Sequence, residues 1–354
     1  MMDIDSLYYD AVDLLKQIIT IPSFSKEEKP VADLLESLLK EKGFCPERKG
    51  NNLWIKSTSW DENKPTILLN SHIDTVKPVS GWIKDPFFPT EEDGKLYGLG
   101  SNDAGASVVS LLSAFQILTA IEQPNNYVLL ISSEEEISGK GGVETVLPEL
   151  PKITFALVGE PTGMNPAIAE RGLMVLDGAV YGKSGHAARN EGENAIYKAL
   201  SVINWFQKLE FPKASDLLGT VKTTVTMIQA GTQHNVIPDI CKFTVDVRTN
   251  ELYSNQEIFE EIQFRCGCEI NARSFRLNSS RISPTHPIVE RAKTLGLNPF
   301  GSPTLSDQAL MNFPSLKIGP GKSERSHSAD EFIYLSEIRD AIPLYVNLLN
   351  DLIL

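Results

Sequence analysis

Five short segments carry side chains that bind cations or move protons: Ser71-His72-Ile73-Asp74, the turn Gly98-Leu99-Gly100-Ser101-Asn102 leading to Asp103, Ser133-Glu134-Glu135-Glu136, Gly159-Glu160-Pro161, and a Gly-rich loop reaching His327. Imidazole and carboxylate are the hard and borderline donors that zinc, cobalt and manganese prefer. An ion held by such a set acidifies water toward neutrality, and a neighbouring free carboxylate can take its proton. Each segment alone is ordinary. A His-x-Asp pair is commonly a hydrogen-bonded turn, and consecutive glutamates commonly open a helix, where the macrodipole favours acid. Their joint placement at strand ends or helix starts is what points to metal chemistry.

That placement follows from the apolar runs before each segment. Thr66-Ile67-Leu68-Leu69-Asn70, Tyr127-Val128-Leu129-Leu130-Ile131, Ile153-Thr154-Phe155-Ala156-Leu157-Val158 and Ser315-Leu316-Lys317-Ile318 read as buried strands alternating with helices. Such alternation predicts an α/β fold with a mostly parallel, helix-covered sheet, and ligands bind at the carboxyl ends of strands in such sheets. Residues 104–121 carry no charge, but a polar residue recurs at every third position from Ser107 to Thr119. This spacing predicts an amphipathic helix lying on the sheet rather than a membrane span. From Arg171-Gly172 onward the texture changes to strand 174–181, helix 194–209, strands 223–229 and 241–248, helix 255–264 and strand 269–275. The β-α-β-β-α-β order is that of a small ferredoxin-like α+β domain. The expected division is therefore 1–172 with 283–354 as the metal-binding domain and 173–282 as an inserted domain.

The bulk properties limit the partners. The chain has 354 residues, 42% hydrophobic and 22% charged, enough for roughly two domains. Lys plus Arg number 33 against 46 Asp plus Glu, a net charge of −13 that repels nucleic acid and anionic membrane surfaces. Four cysteines (Cys45, Cys241, Cys266, Cys268) form no disulfide framework, and the opening residues lack a signal-peptide pattern. Both features lead us to expect a cytoplasmic protein.

Taken in order, Ser71-His72-Ile73-Asp74-Thr75-Val76, Gly98-x-Gly-x-x-Asp103, Glu134-Glu135-Glu136, Gly159-Glu160-Pro161-Thr162, Gly182-Lys183-Ser184-Gly185-His186, Asn235-Val236-Ile237-Pro238 and His327-Ser328-Ala329-Asp330-Glu331 resemble the dizinc aminoacylase and carboxypeptidase family. That family includes acetylornithine deacetylase, succinyl-diaminopimelate desuccinylase and carboxypeptidase G. The resemblance implies two Zn2+ ions, for which Co2+ or Mn2+ substitutes. It makes Asp103 the bridging carboxylate, with His72 and Glu136 completing one site and Glu160 and His327 the other. It makes Glu135 the general base and Asp74 the group that orients His72. His186, in the inserted domain, is implied to stabilise the oxyanion in a partner subunit's site, which requires a homodimer through that domain. Asn235 and Arg248 match substrate-binding positions, Arg248 being suited to a bidentate grip on a carboxylate. The chain departs from the family's common Gly-Arg-Gly and Asp-x-Lys-Gly turns in having Leu99 and Gly105.

Rival chemistries lack their motifs. Gly321-Lys322-Ser323 and Gly182-Lys183-Ser184 end like phosphate loops, but the earlier glycine such a loop requires is replaced by Leu316 and Asp177. No Gly-x-Ser-x-Gly elbow of a serine hydrolase occurs. Within the metal reading, the loop from Ile318 to Glu331 resembles acetylornithine deacetylases. The expected substrate is a small N-acyl amino acid, N-acetyl- or N-succinyl-ornithine-like or citrulline-like. Exopeptidase action on di- or tripeptides is the alternative, since the same attack serves both.

Overall fold

A computed structural model describes residues 3–189 and 191–354. The chain forms two compact units, one built from the residues up to Ile168 with Arg281–Phe300 and Ser306–Leu354, the other from Ala169–Ser280 with Gly301–Leu305. The short return of Gly301–Leu305 has no signature in the sequence.

The first unit is organised by a sheet whose strands run in the order Glu47–Lys49, Asn52–Lys56, Asn126–Ser132, Thr66–His72, Phe155–Val158, Ser315–Lys317, Ala167–Glu170, the last of which continues past Ile168 into the second unit's residues. The central four are mutually parallel, with Leu69 opposite Leu129 on one side and Leu157 on the other, and Leu316 opposite Leu157. Antiparallel strands flank them. Asn126–Ser132 and Thr66–His72 are buried at every position, as expected of parallel strands covered on both faces. Because the four are parallel, all their carboxyl ends lie along one edge. On one face Trp54, Leu68, Val128, Val143, Val146 and Ala156 pack into a core. On the other lie the helices Ile4–Ile19, Ala106–Thr119 and Leu335–Leu349.

The helix Ala106–Thr119 corrects the amphipathic expectation. Of its residues only Ile117 and Thr119 escape burial, so Ser107, Ser110 and Ser113 lie inside. The sequence shows one helix at a time, whereas here the first and last helices close over the face that would otherwise meet solvent. Ser113 satisfies its hydroxyl on the Val109 carbonyl at 3.0 Å, whereas the Ser110 hydroxyl is buried without a hydrogen-bond partner among the described residues. Among the described residues no helix is long and apolar enough to cross a membrane.

The second unit has a four-stranded antiparallel sheet in the order Lys222–Ala230, Ile240–Thr249, Gly172–Tyr181, Glu269–Ala272, with helices Ala195–Gln207 and Asn255–Arg265. This is the ferredoxin-like order. Met174, Leu176, Phe206, Phe243, Val245 and Ile258 form its core. Asn194 and Ser254 cap its two helices, the latter through a full capping box with Glu257. A two-residue ribbon pairs Gly185–His186 with Val236–Ile237.

Candidate metal centre

His72 is the last residue of its strand, and the glutamates 134–136 follow the end of the neighbouring one. Glu160 lies two residues beyond Phe155–Val158, and the loop after Ser315–Lys317 leads to His327. Asp103 stands in the turn before Ala106–Thr119. The turn needs its glycines: Gly100 has φ 75°, and a Cβ on Gly105 would lie 2.6 Å from the Gly100 carbonyl oxygen and from Leu15 Cδ1. A lysine at this position, as in the family's common turn, would meet both.

The five residues converge in two donor groups that share Asp103: His72, Asp103 and Glu160, and Asp103, Glu136 and His327, with the donor atoms of each group within 4.8 Å of one another. His72 Nε2 is 3.2 Å from Asp103 Oδ1 and 3.8 Å from Glu160 Oε1. His327 Nε2 is 2.9 Å from Glu136 Oε2 and 3.8 Å from Asp103 Oδ2. The pairing thus differs from the one the resemblance implied. Glu160 goes with His72, and Glu136 reaches His327 instead, although the strands preceding both glutamates flank Thr66–His72. Glu135 stands beside the first group, its Oε2 3.9 Å from His72 Nε2.

Asp74 supports the centre in two ways. The Nδ1 of His72 lies 2.9 Å from the Asp74 carbonyl oxygen, which can only accept, so Nδ1 carries a proton and Nε2 is the nitrogen turned toward the donor group, where an ion would replace its proton. The backbone rather than the carboxylate makes this shorter contact, the carboxylate Oδ1 being 3.5 Å away. That carboxylate instead accepts the N–H groups of Glu135 and Glu136 and the hydroxyl of Ser25.

The electrostatics of this cleft call for cations. Burial, joined by the charge of Glu160, pushes the Glu135 carboxyl well above its usual range, and burial lifts Glu160 to about 8 and raises Glu136. The bond to Glu136 lifts His327 to about 9. Burial alone would lower the pKa of His72, but its bonds to Asp103 and Asp74 outweigh that and raise it. The Oε1 of Glu160 is buried with no hydrogen-bond partner among the described residues. A buried carboxylate oxygen without a donor, within ion-sharing distance of an imidazole and a second carboxylate, fits a divalent cation of the zinc, cobalt or manganese class.

Two acids with no role assigned from sequence belong to this region. Glu331 is buried and accepts the backbone N–H groups of Gly100, Asn102 and Asp103 at 2.9–3.1 Å, fixing the turn that presents Asp103. Asp307 is buried behind the strand ends, accepting from Asn70 at 3.0 Å and Ser132 at 2.7 Å. Glu331 lies inside a motif legible from sequence, whereas nothing in the spacing around Asp307 marks it.

The remaining candidates lie in the second unit. His186 is exposed, its Nδ1 accepting the Ala188 N–H at 3.1 Å, and Asn235 stands on the same ribbon, its carbonyl accepting the Ala187 N–H at 3.0 Å. Arg248 lies at the far end of Ile240–Thr249 and gives Nε and Nη2 to Asp246 at 2.8 and 3.1 Å, so the edge suited to a bidentate grip already has a carboxylate.

A parallel-centred sheet with a cation-demanding cleft at its carboxyl edge is the architecture of the metallo-exopeptidases. The chain belongs to peptidase family M20/M25/M40, whose profile matches residues 68–351; it is a hydrolase of that family. The succinyl-diaminopimelate desuccinylase of Wolbachia pipientis subsp. Culex pipiens (strain wPip) is 27% identical over 292 residues, 77% of this chain and 73% of that protein. Aminopeptidase PepT from Bacillus cereus shares the fold with a TM-score of 0.76 at 19% identity, over 97% of this chain and 98% of its own. So does YXEP of Bacillus subtilis, described as a dinuclear metal binding peptidase, at a TM-score of 0.75 and 17% identity over 97% and 98%.

Proposed function

We propose that the protein is a two-metal amidohydrolase releasing a free amino acid and a carboxylate from a small N-acyl amino acid, N-acetyl- or N-succinyl-ornithine-like or citrulline-like. The observation that carries this is the sharing of Asp103 between two donor groups with Glu135 beside them. His72, Asp103 and Glu160 would hold one ion and Asp103, Glu136 and His327 the other, zinc in the native enzyme with cobalt or manganese as substitutes. Bound there, the ions would polarise the scissile carbonyl and ease deprotonation of water. Glu135 takes a proton from the attacking water as its oxygen bonds to the carbonyl carbon. It then delivers that proton to the amide nitrogen, so the C–N bond breaks and an amine leaves. Its raised pKa, due first to burial, suits both steps.

His186 is read as the oxyanion donor, supplied to the centre of a partner subunit in a homodimer formed through the second unit. Asn235 on the same ribbon is read as a substrate contact, and Arg248 as a carboxylate grip once its bond to Asp246 is shared. The four unpaired cysteines agree with work in a reducing cytoplasm.

The desuccinylase relative favours deacylation. The fold shared with PepT supports a second reading, exopeptidase action on di- or tripeptides. Assay of zinc-loaded protein on a panel of N-acetyl and N-succinyl amino acids beside di- and tripeptides separates the two. Turnover of an N-acyl amino acid above every peptide is expected, and turnover of peptides alone would replace the deacylase reading.

A further inference from the structure

Beyond the strand Asn126–Ser132, four consecutive backbone N–H groups are each accepted by a side chain from another segment. Ser133 donates to Asn52 Oδ1 at 2.9 Å, Glu134 to Glu28 Oε1 at 3.1 Å, and Glu135 and Glu136 to the two carboxylate oxygens of Asp74 at 3.0 and 3.1 Å. Glu134 lies in the left-handed region at φ 56°, where a residue with a side chain stays only if its surroundings hold it. Its carbonyl accepts the Gly139 N–H at 2.7 Å, and its carboxylate accepts the Gly141 N–H at 3.2 Å. This bend aims Glu135 toward His72 and Glu136 toward His327.

Glu28 is the least expected member of that frame. It lies more than 100 residues earlier in the chain, beside the start of the helix Lys29–Glu41, and is fully buried. A carboxyl group is expensive to bury unless donors surround it. Here the donors are Lys26 N–H at 2.7 Å, Asn51 Nδ2 at 2.8 Å and the Glu134 N–H, and no cation pairs with it among the described residues. An apolar residue would fill the volume without that cost, so the acid is explained by what it accepts. It ties the N-terminal segment and the 50–51 turn to the backbone of the residue just before the base. Ser25, three residues earlier, reinforces the frame through its 2.7 Å bond to Asp74.

We propose that Glu28 is a positioning residue for the reaction, acting through the Glu134 backbone to fix the direction of Glu135. This rests on the reading of Glu135 as the base. A general base displaced by about 1 Å costs up to about 100-fold in rate. In zinc-loaded protein, Glu28→Ala should therefore lower kcat by about 10- to 100-fold, with KM and zinc content held. Glu28→Gln keeps an acceptor oxygen, and Asn51 can flip its amide to match, so this variant should retain most activity.

The decisive comparison repeats Glu28→Ala in a Glu135→Gln background. There the further loss should be under about twofold, because residues acting as a unit are not additive. Hydrogen exchange supplies a readout independent of turnover. The amides of 133–136 should exchange faster in Glu28→Ala, while those of Asn126–Ser132 keep their protection. If Glu28→Ala fails to fold, Glu28→Asp, one methylene shorter, is read in the same way. Equal losses in both backgrounds, unchanged kcat, or exchange quickened across the whole sheet would overturn the proposal. If no panel substrate is cleaved, or Glu135→Gln is fully active, the base reading fails, and the exchange measurement still decides whether Glu28 holds the turn.

Discussion

The carboxylate of Asp103 faces two histidines at once, with Oδ1 3.2 Å from Nε2 of His72 and Oδ2 3.8 Å from Nε2 of His327. A ligand common to two ions couples their binding, so Asp103→Ala should weaken both, whereas Glu160→Gln should weaken one. Losing a ligand should cost at least the roughly 10- to 100-fold that loss of a supporting partner costs. Calorimetric titration of zinc into apoprotein reads this. Two strong sites are expected in the wild type, one in Glu160→Gln and none in Asp103→Ala, and a strong site surviving in Asp103→Ala would remove the bridge.

Glu135 and Glu136 are neighbours in the chain with different surroundings. Glu136 lies 2.9 Å from His327, whereas Glu135 stands beside His72 without a hydrogen-bond distance to it. Glu135→Gln should keep both zinc ions and lose on the order of 10²–10⁴ in turnover, the usual worth of a general base. Glu136→Gln should lose zinc as well as activity. Equal zinc content and equal rates in the two variants would reverse or abolish the assignment.

Most of this site was legible because the chemistry sits where a periodic pattern ends. The runs before His72, Glu134 and Glu160 are apolar enough to be strands, and parallel strands put their carboxyl ends on one edge. The pairing of ligands was not legible. Thr66–His72 lies between the strands that lead to Glu136 and to Glu160, so strand order allows either pairing, and the course of the loops beyond the strands, including the left-handed bend at Glu134, decides it. Burial of Ala106–Thr119 on all sides was hidden for a similar reason, since the covering helices come from the two ends of the chain. The roles of Glu28 and Asp307 rest on contacts across more than 100 residues, which no local spacing encodes.

Gly105 has no room for a side chain, since a Cβ would meet Leu15 and the Gly100 carbonyl at 2.6 Å. Restoring the family's residue with Gly105→Lys should therefore destabilise the protein by about 1–3 kcal/mol, the usual cost of overpacking. Denaturant titration checks this, and an unchanged midpoint would show that the turn yields freely.

If His186 serves a partner's centre, His186→Ala should lose about 10²–10³ in rate, the worth of one oxyanion donor, while keeping its metals and its dimer. Mixing His186→Ala with Glu135→Gln chains should restore roughly a quarter of wild-type activity, since random pairing gives about half mixed dimers with one competent site in two. No recovery after proven subunit exchange would confine His186 to its own chain or remove it from the reaction.

The two-ion centre is tested most directly by anomalous diffraction at the zinc edge from zinc-loaded crystals. Two peaks per chain are expected on either side of Asp103, one about 2.0–2.2 Å from donors of His72 and Glu160, the other at similar distances from Glu136 and His327. A single peak, or a pair joining His72 to Glu136 and Glu160 to His327, would contradict it.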